Sequence, residues 1–289
     1  MVAIDLTGRH ALVTGVSDDG GFGWAIAKAL QAAGAKVHLA CHPRVVNIVS
    51  MLMRRPGSAE SRKLPYGTPG ELEPESIIAC DVAYDSIDDI PAVLKSSKQY
   101  AGDPSIRGMF AKYKESGAPL DILIHSVAFS PEITKTHLET SRGAYLQASS
   151  ISAYSLLALI REGLPLMAGR DASVVGLTYL AGERVILGYG GGMASAKAAL
   201  ESDARYAAYH AGQEGVRVNL VSPGPFPSRA ARSIGDIDSV VNAVVEKSPI
   251  KRAITAENVA DAVLFLCSPF ASAITGENIH VDSGYHVMG

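Results

Sequence analysis

The chain has 289 residues, with 26 Lys or Arg and 29 Asp or Glu, so its formal net charge is −3. This weakly acidic balance argues against a nucleic acid or an anionic membrane as partner, and the length is ample for one large domain with its own core. Hydrophobic residues make up 47% and charged residues 19%, which indicates buried helices and an oligomer interface. Cys41, Cys80 and Cys267 lie far apart, so we predict neither disulfides nor a metal site. With no signal-like start and no uninterrupted apolar run long enough to span a bilayer, the expected location is the cytoplasm.

Short β-branched runs alternate with longer Ala- and Leu-rich runs along the chain. This alternation predicts one α/β domain, residues 1–289, built on a single doubly wound Rossmann-type parallel sheet of about seven strands with helices on both faces. The predicted strands are 10–14, 36–40, 76–80, 120–125, 172–178, 216–221 and 278–281. The predicted helices are 24–33, 141–167, 193–211 and 256–267.

An excursion at about residues 42–75 departs from this pattern and contains five prolines. Its early part, 45–53, is apolar enough to pack as a helix, whereas 55–74 is predicted to be a surface loop. A second irregular stretch, 84–102, follows the third strand. Neither stretch has the composition of a linker between domains.

A glycine-rich turn with Gly15, Gly21 and Gly23 follows the first strand and opens directly into a helix. This position predicts that the pyrophosphate of a dinucleotide binds the backbone N–H groups there. The spacing departs from strict G-x-G-x-x-G, so an ordinary glycine-rich turn is the alternative.

The second strand ends without the carboxylate that usually binds the adenosine ribose, and it continues as His42, Pro43 and Arg44. The residues therefore leave the nucleotide type open, with Arg44 either a ligand of a 2′-phosphate or simply solvated. Asp81, after the third strand, is placed to accept a hydrogen bond from an adenine amino group. A carboxylate capping a turn is the equal alternative.

The strongest pattern joins Tyr189, just before a predicted helix, to Lys197 inside it, with Tyr179 at the end of the preceding strand. Both Tyr189 and Lys197 are expected to face a cleft at the carboxyl end of the sheet. A nearby ammonium would favour the phenolate of Tyr189, which lowers the pKa of its hydroxyl and makes it a stronger acid. Either residue alone is more often a plain surface side chain, but the pair beside a glycine-rich turn favours catalysis.

With these residues the chain resembles the short-chain dehydrogenases/reductases and, within them, the enoyl-acyl carrier protein reductases of bacterial and plastid fatty acid synthesis. The resemblance covers essentially the whole length and rests on segments 20–28, 121–131, 138–145, 188–202, 216–219, 272–276 and 280–282. Seven residues separate Tyr189 from Lys197, where the wider family has three, and Tyr179 stands in place of a Ser. This combination is typical of enoyl reductases, and the long excursion is similar to that of the plastid and chlamydial type.

The resemblance implies NADH-dependent reduction of the trans-2 double bond of an enoyl thioester carried on acyl carrier protein. Tyr189 would hydrogen-bond the thioester carbonyl, Lys197 would hold the nicotinamide ribose, and Tyr179 would line the acyl pocket. The implied cofactor-binding residues are Gly15, Gly21, Phe22, His42, Asp81, Val82, Ser126, Val127, Lys197, Pro225, Phe226 and Ser228. The implied substrate-binding residues are Phe129, Ser130, Tyr179, Tyr189 and Ala230.

The resemblance also implies a homotetramer that contacts acyl carrier protein transiently. It implies the bacterial cytoplasm as the location, or the plastid stroma if a transit peptide has been removed. His42, Phe129, Ser130 and Pro223 depart from the residues usual in plastid members. NADPH therefore stays an alternative cofactor. The alternative functions are reduction of another carbonyl, such as a 3-oxoacyl thioester, and binding of a dinucleotide without catalysis.

Overall fold

The computed structural model describes residues 4–232 and 236–288. Within these residues, seven strands form one sheet in the order β3-β2-β1-β4-β5-β6-β7, and every neighbouring pair is parallel. The strands are β1 (His10–Thr14), β2 (Lys36–Cys41), β3 (Ser76–Ala79), β4 (Ile122–His125), β5 (Ser173–Leu177), β6 (Arg217–Pro223) and β7 (Asn278–Val281). The predicted fold class is confirmed: β1 and β7 have the predicted bounds, and the other five strands differ from the prediction only at their ends.

Helices cover both faces of the sheet. They are α1 (Phe22–Ala32), α2 (Val46–Arg54), α3 (Ala59–Arg62), α4 (Ala92–Lys95), α5 (Ile106–Lys114), α6 (Arg142–Ser149), α7 (Ser155–Met167), α8 (Met193–Gly212), α9 (Arg229–Arg232), α10 (Ile237–Lys247) and α11 (Ala256–Cys267). Helices α1 and α11 contribute to one buried apolar cluster, whereas α5, α7 and α8 contribute to a second on the opposite face. Strands β4 and β5 are buried throughout, as strands covered on both faces must be.

The strand order fixes where a ligand can enter. Consecutive strands run outward from β1 to β3 on one side, and the chain then crosses to β4 on the other. In open parallel sheets this reversal leaves a crevice at the carboxyl ends of the two central strands. The turns after β1 and β4 therefore line the candidate site.

The predicted helix 141–167 is continuous but changes its winding in the middle. Helix α6 passes through a π-helical turn at Ser150–Tyr154 into α7. By length and mean hydropathy, Arg142–Met167 alone among the described residues is a helix that could cross a membrane, although Arg161 and Glu162 interrupt its apolar run. In this structure 56% of its most apolar window is buried inside the protein, which accounts for its composition.

The later half of the excursion is more ordered than predicted. The guanidinium of Arg62, only 8% exposed, donates to Glu71 at 2.8 Å and to the carbonyl oxygens of Leu52 and Arg55 at 2.6 and 3.0 Å. The indole of Trp24 in α1 donates to the carbonyl oxygen of Ser61 at 2.8 Å. The prediction of a plain surface loop over 55–74 was therefore wrong, because one buried cation organises the segment from within.

Candidate active site

The turn after β1 packs in close contact with the turn after β4. Gly15 has φ +79°, and a Cβ atom there would lie 2.0 Å from the carbonyl oxygen of Ser126. Helix α1 then begins at Phe22, and its N-cap residue Gly21 has no side chain to cap the first N–H groups. These donors, together with the positive end of an 11-residue helix, suit the pyrophosphate of a dinucleotide.

The segment after β6 closes over the same turn. The rings of Phe22 and Phe226 pack with centroids 4.9 Å apart, so two predicted cofactor residues from distant parts of the chain meet. Pro225 and Ser228 flank Phe226 and are half-buried, and the Ser228 amide donates to the Phe226 carbonyl oxygen at 2.8 Å. Val127, after β4, packs against the second apolar cluster.

Asp81 lies at the centre of a polar cluster beyond β3. Tyr100 donates its hydroxyl to Asp81 Oδ2 at 2.6 Å, and His42 Nε2 lies 3.3 Å from the same oxygen. The other oxygen accepts the amide of Ala83 at 3.1 Å. The amide of Arg44 donates to His42 Nδ1 at 3.2 Å, so Nε2 carries the proton that faces Asp81.

This cluster keeps Asp81 ionised. Burial alone would raise its pKa, but the hydrogen bonds from His42, Tyr100 and Ala83 outweigh burial, and the net pKa is lowered. The neighbouring Val82 is 8% exposed and belongs to the second apolar cluster. An ionised carboxylate fits the predicted role of Asp81 as an acceptor for an adenine amino group.

Tyr179 and Tyr189 meet above the carboxyl end of β5. Their ring centroids are 4.8 Å apart and the ring planes are tilted by 57°. Tyr189 also packs against a small apolar cluster formed by Ala148, Met193 and Ala196. The structure therefore brings the two predicted tyrosines together, although nine residues separate them in sequence.

Lys197 projects from the first turns of α8 to the end of the same strand. Its Nζ donates to the carbonyl oxygen of Leu177 at 2.8 Å, and the residue is 3% exposed. Burial lowers the pKa of Lys197 to about 8, whereas Glu201, one turn along α8, acts to raise it. An ammonium held on a strand carbonyl has further N–H groups to offer a ligand hydroxyl.

The expected effect of Lys197 on Tyr189 is wrong. Burial raises the pKa of Tyr189, and the neighbouring Tyr179 raises it further. Burial likewise raises the pKa of Tyr179 to about 12. The ammonium of Lys197 donates to Leu177 and does not lower the pKa of Tyr189. Both phenols are therefore neutral at physiological pH and have a hydroxyl proton that can be donated in a hydrogen bond.

The predicted substrate residues after β4 divide into two roles. Phe129 is 48% exposed beside the cleft, and its amide donates to Ser152 Oγ at 2.9 Å. Ser130 is 7% exposed and donates its hydroxyl to the carbonyl oxygen of Gly191 at 2.7 Å. Ser130 therefore ties two loops together beside the cleft. Ala230 falls in helix α9, after the Phe226 segment.

Two residues close to the predicted site carried no prediction. Tyr100 lies in the irregular stretch 84–102, and no local sequence pattern predicts its hydrogen bond to Asp81. Glu201 lies four residues after Lys197, hence on the same helix face, and this spacing was readable. Across the described parts of the chain, no group of three or more His, Cys, Asp or Glu residues is placed to hold a metal ion.

Comparison with known proteins decides the family. The family model described as "Enoyl-(Acyl carrier protein) reductase" matches residues 100–286, which include Tyr179, Tyr189 and Lys197. The chain belongs to the enoyl-acyl carrier protein reductases. The family assignment confirms the resemblance inferred from the sequence.

Individual members of this reductase family align over almost the whole chain. The chloroplastic enoyl-[acyl-carrier-protein] reductase [NADH] of Arabidopsis thaliana is 46% identical over 99% of this chain and 73% of its own length. The enoyl-[acyl-carrier-protein] reductase [NADH] of Aquifex aeolicus is 37% identical over 98% of this chain and 93% of its own. A crystal structure of the Plasmodium berghei reductase with triclosan superposes with TM-score 0.92 at 35% identity, covering 97% of this chain and 98% of that one.

Proposed function

We propose that this chain is an NADH-dependent enoyl-acyl carrier protein reductase, which reduces the trans-2 double bond of an enoyl thioester in type II fatty acid synthesis. The observation that carries the proposal is the pairing of Tyr179 with Tyr189 at the carboxyl end of β5, where Lys197 donates to Leu177 and β5 pairs with β4. The names of relatives from a plant and a bacterium support both the substrate and the cofactor.

The residues around the crevice fit a dinucleotide. Gly15 lets the turn after β4 pack against the turn after β1, the first N–H groups of α1 would bind the pyrophosphate, and Asp81 would accept from the adenine amino group. Lys197 would donate to the hydroxyls of the nicotinamide ribose. When bound, NADH supplies the hydride that is transferred to C3 of the enoyl group.

Tyr189 would stabilise the charge that develops on the substrate. As the double bond is reduced, negative charge accumulates on the thioester oxygen, and a neutral phenol can donate a hydrogen bond to that oxygen. The raised pKa of Tyr189 keeps its hydroxyl proton in place for this purpose. Protonation at C2 then completes the saturated thioester. Tyr179 and Phe129 would line the space for the acyl chain and help to exclude water.

A single assay tests this proposal. Purified protein is mixed with crotonyl thioester and NADH or NADPH, and oxidation of the cofactor is followed by absorbance. We expect turnover with NADH and a saturated product. Turnover of acetoacetyl thioester without turnover of the crotonyl thioester would favour the 3-oxoacyl alternative, and binding of NADH without either reaction would favour the non-catalytic one. Preference for NADPH would assign Arg44 to its 2′-phosphate.

We further propose that the protein is a homotetramer that meets acyl carrier protein transiently, in the bacterial cytoplasm or in the plastid stroma. Exposed apolar side chains on the two longest helical segments support an assembly. They include Tyr206 and Tyr209 on α8, each 68% exposed, and Leu146 on α6, which is 59% exposed. A monomer in sedimentation velocity at micromolar concentration would contradict it.

A further inference from the structure

A buried carboxylate, Glu201, lies on the same helix face as Lys197 and contacts Thr178, the residue before Tyr179. It is 7% exposed and lies one helical turn after Lys197 on the inner face of α8. Thr178, which is 4% exposed, donates its hydroxyl to Glu201 Oε1 at 2.7 Å. Glu201 has no role in the predicted reaction. Burying a carboxylate costs free energy unless hydrogen bonds or an opposite charge compensate for it.

Three consecutive residues at the end of β5 are each held by a different group. Leu177 accepts a hydrogen bond from Lys197 through its carbonyl oxygen, and Thr178 donates one to Glu201 through its hydroxyl. Tyr179 follows and packs its ring against Tyr189. Helix α8 therefore fixes the strand end at two adjacent points immediately before the tyrosine that lines the acyl pocket.

The turn after Tyr179 also rests on Glu201. A Cβ atom at Gly182 would lie 2.8 Å from Glu201 Oε1 and 3.0 Å from the amide nitrogen of Ala198. The turn at Leu180–Gly182 can therefore approach α8 this closely only because position 182 has no side chain. The carboxylate is thus enclosed by the helix on one side and by residues 178–182 on the other.

We propose that Glu201 is a positioning residue of the active site, which holds Tyr179 in place through Thr178 and supplies a buried negative charge one helical turn from the ammonium of Lys197. This inference rests on the proposed function, since it assigns Lys197 to the cofactor and Tyr179 to the acyl pocket. Glu201 touches neither ligand and acts through these two residues.

The charges around the pair support the second part of the proposal. The charge of Glu201 raises the pKa of Lys197, which lies near the neutral, fully buried His125. Burial raises the pKa of Glu201, and the charge of Glu183 raises it further. The Thr178 hydrogen bond and the charges of Arg205 and Lys197 lower it. Glu201 is the carboxylate that opposes the effect of burial on Lys197. Removing its charge therefore leaves burial unopposed.

The variant Glu201→Gln separates charge from hydrogen bonding. Its amide oxygen still accepts from Thr178, whereas the negative charge is lost. We expect the pKa of Lys197 to fall by about one unit, because the opposite charge that is removed is buried and lies one helical turn away on the same face of α8. The measurement is a pH titration by NMR of the apoprotein with ¹³C-labelled lysine, with the Lys197 signal assigned by its loss in Lys197→Met.

Binding of NADH, followed by fluorescence, gives a second measurement of the same change. At about pH 6 the parent and Glu201→Gln should bind NADH equally, because Lys197 is protonated in both. At about pH 8 the variant should bind roughly fivefold more weakly, because the binding-competent ammonium form is about half populated in the parent and roughly a tenth populated in the variant. Glu214→Gln is the matched control, because Glu214 is an exposed carboxylate just beyond α8, and it should behave as the parent.

Thr178→Val tests the other half of the proposal. It removes the donor and keeps the charge of Glu201, so we expect a higher KM for crotonyl thioester and a lower kcat, without the loss of NADH affinity at about pH 8. Activity unchanged in Thr178→Val would overturn the positioning of Tyr179. This variant decides that part even if Glu201→Gln fails to fold.

An unshifted Lys197 pKa in Glu201→Gln, with an NADH profile equal to that of the parent, would overturn the electrostatic role, even if the melting temperature falls. Failure of the proposed function gives a different result. In that case the parent itself would bind NADH independently of pH, and Lys197→Met would bind it as well as the parent does.

Discussion

Tyr179 and Tyr189 lie with ring centroids 4.8 Å apart, and each is a neutral phenol because burial raises its pKa. The two rings are held by different parts of the chain, Tyr179 by the end of β5 and Tyr189 by the cluster at the start of α8. The hydroxyl of one can therefore be removed without displacing the other, which makes their roles separable by substitution.

Tyr189→Phe should lose turnover and keep binding. The ring still packs against Ala148, Met193 and Ala196, whereas the thioester oxygen loses its donor. Loss of one such donor costs about 2.7 to 4 kcal/mol, and we expect the lower half of that range, about a hundredfold in kcat. The measurement is crotonyl thioester turnover together with NADH affinity. Turnover within about threefold of the parent would move the donor role to Tyr179.

Lys197→Ala should lose NADH binding as well as turnover, because the buried ammonium would be replaced by a methyl group and a small cavity. Direct titration of NADH by fluorescence quenching measures the affinity. The exposed Lys112, which pairs with Glu115, gives the matched control Lys112→Ala. An unchanged NADH affinity in Lys197→Ala would remove Lys197 from the cofactor site.

Tyr100→Phe should weaken NADH binding and leave kcat nearly unchanged. The substitution removes the 2.6 Å hydrogen bond to Asp81, so the carboxylate is less firmly placed for the adenine. A hydrogen bond to a charged group is worth about 1.5 kcal/mol or more, so we expect roughly a tenfold rise in the KM for NADH. Tyr154→Phe removes a similar bond to Asp85, at 2.8 Å and exposed, and serves as the control. Equal KM values in both variants would contradict the role of Tyr100.

We expect the histidines near the amino ends of β1 and β2, His10 and His38, to lower the stability of the fold at acidic pH. The ring of the buried His38 stacks on that of the half-buried His10 with centroids 5.8 Å apart, and burial lowers the pKa of His38 from 6.5 to about 4. Between these values the unfolded chain binds more protons than the folded one, so this contribution to stability is complete above about pH 6.5 and is lost as the pH falls towards 4.

His38→Phe should flatten that loss. Denaturant unfolding between about pH 7 and pH 4.5 should show a slope smaller by up to about 1.4 kcal/mol per pH unit. Stability at neutral pH should fall somewhat, because the 2.9 Å contact with Ser76 Oγ is lost. The exposed His210 provides the control His210→Phe. An unaltered pH slope in His38→Phe would assign the acid sensitivity to other groups.

The sheet was predictable because hydrophobic runs and their alternation with helices are local signals. Helices α5 and α10 were not predicted. The exposed Arg107, Lys112 and Lys114 make the short α5 mostly polar in sequence, and α10 has one buried residue, Val241. The ordering of the excursion by Arg62 could not be read from sequence, because a buried guanidinium looks like any surface arginine until its three acceptors are placed around it.

In the candidate site, too, the features with a local sequence pattern were predictable and those that depend on long-range contacts were not. Tyr189 and Lys197 were predicted from their spacing, Tyr179 was assigned through the family resemblance, and the glycine-rich turn was predicted from its position after β1. The bond of Ser130 to Gly191 and that of Tyr100 to Asp81 join residues 61 and 19 positions apart, and no periodicity connects such partners. The state of Tyr189 depends on burial, which is a property of the whole fold, so the sign of its pKa shift was predicted wrongly.

The contact between Gly15 and Ser126 has a thermodynamic consequence for ligand binding. Two loops that leave no space for a methyl group between them behave as one rigid body, and neither can rearrange without the other. A cofactor that binds across such a preformed surface loses little free energy to ordering the protein. The loops are thus organised before the ligand arrives, and even a single added methyl group, as in Gly15→Ala, would force them apart.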